Sequence, residues 1–167
     1  MYNKRTKKHQ EEIKMQVLGT DILTQVALVV HDIEKTKERI AKLFGITAPP
    51  TVESGDYEIT QTEVRGVPSP DAACKMAFFQ VGNGVSLELI QPNEVSSVWR
   101  DFLNEKGEGL HHIAFNVKGT DEVIKSCEEF GMTLVQKGNY GSGNGCYSYL
   151  EGGEGLPFIL ETLENFD

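Results

Sequence analysis

From residue 22 the chain reads ILTQVALVVHDIEKTKERIAKLFGI. Its first part is apolar and β-branched enough for a buried strand, and Ile33, Ile40, Ala41, Leu43 and Phe44 then recur with the spacing of one helix face. Asp32 is placed to cap that helix and Gly45 to stop it. DYEITQTEV, residues 56–64, alternates as a strand, and RGVPSPDAA reads as a loop from its Gly, Pro and Ser. CKMAFFQV and VSLELIQ read as two strands around the turn GNG. The order is β, α, β, β, β.

SSVWRDFLNEKG predicts a short helix with Val98, Trp99, Phe102 and Leu103 as its stripe and Gly107 at its end. A second round follows. HHIAFNV is a strand, GTDEVIKSCEEFG a helix capped by Thr120 with Asp121 and Glu122 in its first turn, and MTLVQKG, CYSYLEG and LPFILETLE are three more strands. QVALVVHDIEKTKERIAKLFG matches HIAFNVKGTDEVIKSCEEFG in its apolar positions, so Gln25 falls on His112; SLELI likewise falls on FILET, pairing Glu88 with Glu161. The expected architecture is α+β: two βαβββ modules forming a cupped mixed sheet, helices on the outer face. The expected layout is a basic extension over 1–18, modules over 19–95 and 108–167, and a connecting helix over 96–107.

Strand parity assigns faces. Gln25, Ala27 and Val29 share one side of the first strand, as do His112, Ala114 and Asn116 in its counterpart. The wholly apolar sides should take the helices, leaving Gln25 and His112 to line a concavity. His111, adjacent to His112, is then expected on the packing side. Glu88 and Glu161 stand inside apolar strands, where a carboxylate without a partner is costly. A divalent cation answers that cost. One amide oxygen, one imidazole and two carboxylates suit Mn, Co, Ni, Mg or Zn, with positions left for substrate oxygens. Such an ion can hold an enolate oxygen while a neighbouring carboxylate moves the proton.

Charge and composition narrow the partners. The formal charge is −9, with +3 on residues 1–16 and −12 on the rest. So acidic a body argues against nucleic acid, and no apolar run is long enough to span a bilayer. A cytoplasmic protein is expected. Cys74, Cys127 and Cys146 are odd in number and lack CxxC spacing, so neither a disulfide framework nor a zinc knuckle is indicated, and Cys127 reads as core. His31 reads as a loop residue and His9 as part of the tail. GNYGSGNG lacks the helix and Lys-Ser or Lys-Thr pair of a phosphate loop, and reads as a flexible hairpin loop at a pocket rim. The roles of Cys146, Tyr147 and Tyr149 stay open, since either parity would bring part of that strand to the site.

From about residue 20 onward the chain resembles the vicinal oxygen chelate superfamily, and ELIQPNEVSSVWRDFLNEKGEGLHHIAF is most similar to methylmalonyl-CoA epimerases. The resemblance carries metal ligation onto Glu88, His112 and Glu161. Its first ligand is usually a histidine where this chain has Gln25, and a Gln, Glu, His, Glu set resembles one class of glyoxalase I. Those epimerases place a second acid in the strand that here reads CKMAFFQV, with Met76 at the aligned position. A two-base exchange would then use Glu88 and Glu161 across the metal, or borrow Glu58 or Glu63. The family's late H-P-K segment, associated with the acyl-CoA, is LEGGEG here, and RGVPSPDAA is an extra loop without a counterpart in those epimerases, expected to shape a different pocket.

The resemblance implies a metal-dependent epimerase or isomerase acting next to a carbonyl. Glu161 is expected as main base and Glu88 as ligand and second base, with an acyl-CoA thioester among the candidate substrates and a homodimer as the assembly. The alternatives are a glyoxalase I-like lyase and a non-enzymatic ligand- or drug-binding protein. A two-histidine, one-carboxylate iron dioxygenase is disfavoured by Gln25.

Overall fold

The structure is a computed structural model that describes residues 16–167. The expected basic extension over 1–18 lies almost wholly outside the described residues. β1 (Leu23–Val29) leads into α1 (Ile33–Phe44), whose first turn is closed by Asp32 accepting from the Lys35 amide at 3.0 Å. Gly45, at φ 66°, ends it in the left-handed conformation that costs glycine least. The buried stripe is Ile33, Lys37 and Ala41; Leu43 and Phe44, expected on it, are exposed in the last turn.

Of the expected strand over 56–64, only Glu63–Val64 forms. β2 is only Val52–Glu53, α2 (Tyr57–Thr60) is one helical turn, and Gln61 at φ 46° ends it by donating its amide to the Tyr57 carbonyl. β3 (Glu63–Val64), at the end of that segment, and β4 (Val67–Pro68), inside what reads as loop, form a short hairpin. Its turn holds Arg65 and Gly66 at φ 51° and 76°, the positive pair that tight hairpins need. Pro68 is tolerated because β4 is the outermost strand of the sheet. Local alternation lost to tertiary position here. β2 pairs with β5 at one edge while β3 pairs with β8 at the other, so residues 54–62 must cross from one module to the other.

β5 (Cys74–Val81) and β6 (Val85–Pro92) complete the first module. α3 (Val98–Lys106), with Ser97 accepting from the Arg100 amide, connects to β7 (Gly109–Asn116), α4 (Thr120–Glu129), β8 (Thr133–Asn139), β9 (Gly145–Glu151) and β10 (Ile159–Asn165). Thr120 does not cap α4. The Glu164 carboxylate reaches over from β10 and accepts from the Gly119 and Thr120 amides at 2.8 and 2.9 Å, a negative charge on the positive end of the helix.

The ten strands form one sheet in the order β2-β5-β6-β1-β7-β10-β9-β8-β3-β4. β1 and β7 run antiparallel at its centre, with Gln25 opposite Ala114 and Ala27 opposite His112. β6 lies parallel to β1 with Glu88 beside Ala27, and β10 parallel to β7 with Glu161 beside Ala114. These are the same contacts repeated about a local two-fold axis. On the outer face Ile33 of α1 packs with Val30, Ala77 and Leu89, while Cys127 of α4 packs with Phe115, Leu150 and Leu160. The inner face curls around Ala27, Val29, Ile90 and Tyr149, and α3 inserts Val98, Trp99 and Leu103 against them.

Candidate metal centre

At the centre of the cup the paired positions meet. Gln25 Nε2 donates to Glu88 at 2.7 Å and to Glu161 at 3.1 Å, and His112 Nε2 lies 2.9 Å from Glu161 and 3.4 Å from Glu88. One ligand atom from each of Glu88, His112 and Glu161 can be chosen with all three inside 4.8 Å of one another. His112 has no exposed surface, and Glu88 and Glu161 are buried. Burial pushes the Glu88 carboxyl up to about 7, with the His112 hydrogen bond opposing and the Glu161 charge adding to it. Burial works against a charged His112, yet the charges and hydrogen bonds of Glu161 and Glu88 outweigh it and lift the imidazole to about 9.

This donor set fits a divalent cation. Two buried carboxylates without a metal rely on the Gln25 NH2 and on the imidazole, which is a thin supply of positive charge. A half-turn of the Gln25 amide would present its oxygen, giving three oxygen donors and one nitrogen suited to a hard or borderline ion.

His111 is not on the packing side. Ala27 faces His112 and Leu28 faces Leu110, so His111 is the extra residue of a β-bulge, and the bulge turns its ring into the cup beside its neighbour. The two Nδ1 atoms are 2.9 Å apart, and His111 Nε2 lies 3.3 Å from the Val98 carbonyl. Burial and the His112 charge pull the His111 ring down to about 3. A neutral His111 then accepts at Nδ1 from His112 and donates from Nε2 to Val98, which leaves His112 Nε2 turned toward the carboxylates.

Above these groups is a cavity of about 510 Å³. Trp99, Met76, Phe78, Tyr147, Tyr149 and Leu163 wall it, with Gln25, Glu88 and Glu161 at its floor. Parity in β9 is thereby decided: Tyr147 and Tyr149 face the cup, while Cys146 faces Thr120. Burial, reinforced by the Glu161 and Glu88 charges, raises the Tyr149 phenol far above its ordinary value. The aromatic wall escaped the sequence reading, although the i, i+2 spacing of the two tyrosines was its signal.

The rim is built by segments distant in sequence. Val52 and Glu53 come from β2, Ser54, Gly55, Thr60 and Thr62 from the crossing segment, and 139–142 from the glycine loop, which does lie at the mouth as its composition suggested. A Cβ on Gly55 would stand 2.6 Å from the Gly141 Cα, and one on Gly141 would stand 2.6 Å from the Ser54 carbonyl oxygen, so the two backbones touch. Asn139 ties them further by donating to the Ile59 carbonyl at 3.0 Å. The 69–73 stretch of the extra loop is held away from the cavity by Asn93, which donates to the Asp71 carbonyl. Glu58 and Glu63 also stand outside the lining; Glu63 pairs with Lys137 at 3.6 Å. Glu53, on β2, lies at the rim instead.

A model of the glyoxalase/bleomycin resistance protein/dioxygenase superfamily matches residues 24–149. The chain belongs to that superfamily. The superfamily fold also recurs in solved structures. Methylmalonyl-CoA epimerase from Mycobacterium tuberculosis is 21% identical with a TM-score of 0.59, over 87% of this chain and 88% of that one. The hypothetical protein BH1468 from Bacillus halodurans C-125 is 21% identical with a TM-score of 0.62, over 87% and 95%. A Streptomyces coelicolor methylmalonyl-CoA epimerase variant in complex with 2-nitronate-propionyl-CoA is 18% identical with a TM-score of 0.55, over 86% and 96%. Identities this low establish the superfamily fold and no more. Over 62 residues the chain is also 40% identical to the uncharacterized protein YqjC of Bacillus subtilis (strain 168), spanning 37% of this chain and less than half, 44%, of that relative.

Proposed function

We propose that this protein is a metal-dependent isomerase that moves a proton on the carbon next to a carbonyl, in the manner of a methylmalonyl-CoA epimerase. The observation that carries the reading is the buried meeting of Gln25, Glu88, His112 and Glu161 beneath a cavity large enough for a short acyl group. A divalent ion there would supply the positive charge that makes the carbon acid ionisable. Glu161 takes the proton on one face, and Glu88, its counterpart in the other repeat, is the second acid–base group of an exchange. Trp99, Tyr147 and Tyr149 exclude water from the acyl part, leaving any coenzyme outside the mouth. The acyl-CoA compounds held by the structural neighbours, 2-nitronate-propionyl-CoA and methylmalonyl-CoA, support this choice of test substrate. A homodimer is part of the same reading, with sedimentation velocity as its check.

The deciding assay is deuterium uptake at C2 of methylmalonyl-CoA in heavy water. Exchange should require added metal and fall about 10²- to 10⁴-fold in Glu161→Gln, the usual worth of a positioned base. Retention of exchange in that variant, with loss in Glu53→Gln, would move the base to the rim. One observation favours a second reading: Gln25 in place of a histidine gives the glyoxalase I-like donor set. Turnover of the methylglyoxal–glutathione hemithioacetal, without deuterium uptake into methylmalonyl-CoA, would establish the lyase instead.

A further inference from the structure

Two phenols in the cup have their oxygens claimed from behind by fixed donors. Val98, at the start of α3, gives its amide to Gln136 Oε1 at 2.9 Å, which turns Gln136 Nε2 toward the Tyr147 hydroxyl at 3.2 Å. Trp99 Nε1 meets the Tyr149 hydroxyl at 3.1 Å. An indole N–H can only donate, so Tyr149 Oη accepts and its own proton must point elsewhere. The one hydrogen bond of the Tyr149 hydroxyl among the described residues is the one it accepts from Trp99, and the contacts of Glu88 and Glu161 with Gln25 and His112 run through Oε2.

Position makes that spare proton useful. Tyr149 is directly opposite Glu161 across the β9–β10 ladder, its ring centroid is 4.8 Å from that of His112, and it lines the cavity while only 3% exposed. A rigid donor in a dry site is worth most to an oxygen that gains charge during the reaction, because the donor is already oriented. Among the described residues lining the cavity there is no Lys or Arg to do that work.

We infer that Tyr149, oriented by Trp99, donates a hydrogen bond to the substrate oxygen on which negative charge develops, so the cup selects substrates carrying a carbonyl-type acceptor over Glu161. This rests on the metal-dependent reading above. The phenol keeps its proton throughout, and no bond is made or broken at it. The paired roles also explain why α3 is buried inside the cup: its first turn supplies both Val98 and Trp99 to the tyrosine wall.

The test uses the full chain loaded with Co²⁺ and titrated with acetohydroxamate, an oxygen anion whose binding shifts the visible cobalt spectrum. Tyr149→Phe keeps the ring and should still take up Co²⁺ as the unaltered protein does, while binding acetohydroxamate about tenfold to a hundredfold more weakly. Equal affinity in both proteins overturns the assignment and leaves the metal reading standing. Loss of Co²⁺ from Tyr149→Phe also overturns it, because the tyrosine would then serve the metal site. Failure of the unaltered protein to bind Co²⁺ overturns the metal reading and this inference with it.

Discussion

His112 and His111 show how much one residue can hide. Alternation along HHIAFNV puts them on opposite faces, and that rule holds only where the ladder is regular. The extra residue at His111 breaks the register and brings both rings into the cup, where His111 bridges His112 to the Val98 carbonyl. The bridge fixes which nitrogen of His112 faces the carboxylates. Replacing His111 by Phe, which keeps an aromatic ring against Phe102 and Tyr149, should therefore weaken Mn²⁺ binding about 10- to 100-fold in a calorimetric titration. An unchanged dissociation constant would reduce His111 to packing. The four paired positions themselves were legible, because Gln25 against His112 and Glu88 against Glu161 follow from repeat and parity alone.

Among the elements, those that pack by their own periodicity came out as the pattern reads. α1, α3, α4, β5 and β6 are where their apolar spacing puts them. The crossing segment is different, because its conformation answers to two sheet edges and not to its neighbours in sequence. Its contact with the glycine loop leaves no room for a Cβ at Gly55, which also holds φ 99°. Gly55→Ala should cost about 1–3 kcal/mol in urea denaturation by forcing strain on the backbone; an unchanged midpoint would show that the segment yields freely. At the start of α4, hydrogen bonds from the Thr120 hydroxyl and the Gly119 and Thr120 amides hold the Glu164 carboxyl below its ordinary range. The stability this supplies is present above the ordinary carboxylate range and lost as pH falls through the lowered value. Glu164→Gln should flatten that part of the acid-denaturation curve, and a curve superposable on that of the unaltered protein would argue against the cap.

At the scale of the whole molecule, the proposed metal site would link metal binding to folding. The four donors come from β1, β6, β7 and β10, so an ion that binds only when these strands are assembled adds RT ln(1 + [M]/Kd) to stability, about 4 kcal/mol at a thousandfold excess over Kd. The linkage has a sign in pH as well. With its pKa lifted to about 9, metal-free His112 carries a proton at neutral pH, and that proton must leave when Nε2 becomes a ligand. Metal affinity should rise as pH rises toward 9, and the rise in Tm on adding Mn²⁺ should be larger at pH 8 than at pH 6. Melting curves at the two values check this; an equal shift would show that no proton is displaced.

What the sequence determined by itself was the repeated unit, its outward apolar faces and the four polar positions that interrupt the inward ones. Those are properties of period and parity, which a chain carries locally. Tertiary structure decided the bulge at His111, the crossing of residues 54–62, the capping of α4 by Glu164 and the hydrogen bond from Trp99 to the Tyr149 hydroxyl. Each depends on a partner far away in the chain: β1 for the bulge, two sheet edges for the crossing, β10 for the cap, α3 for the tyrosine. No local pattern encodes which distant group arrives, and the chemistry of the cup lies in those arrivals.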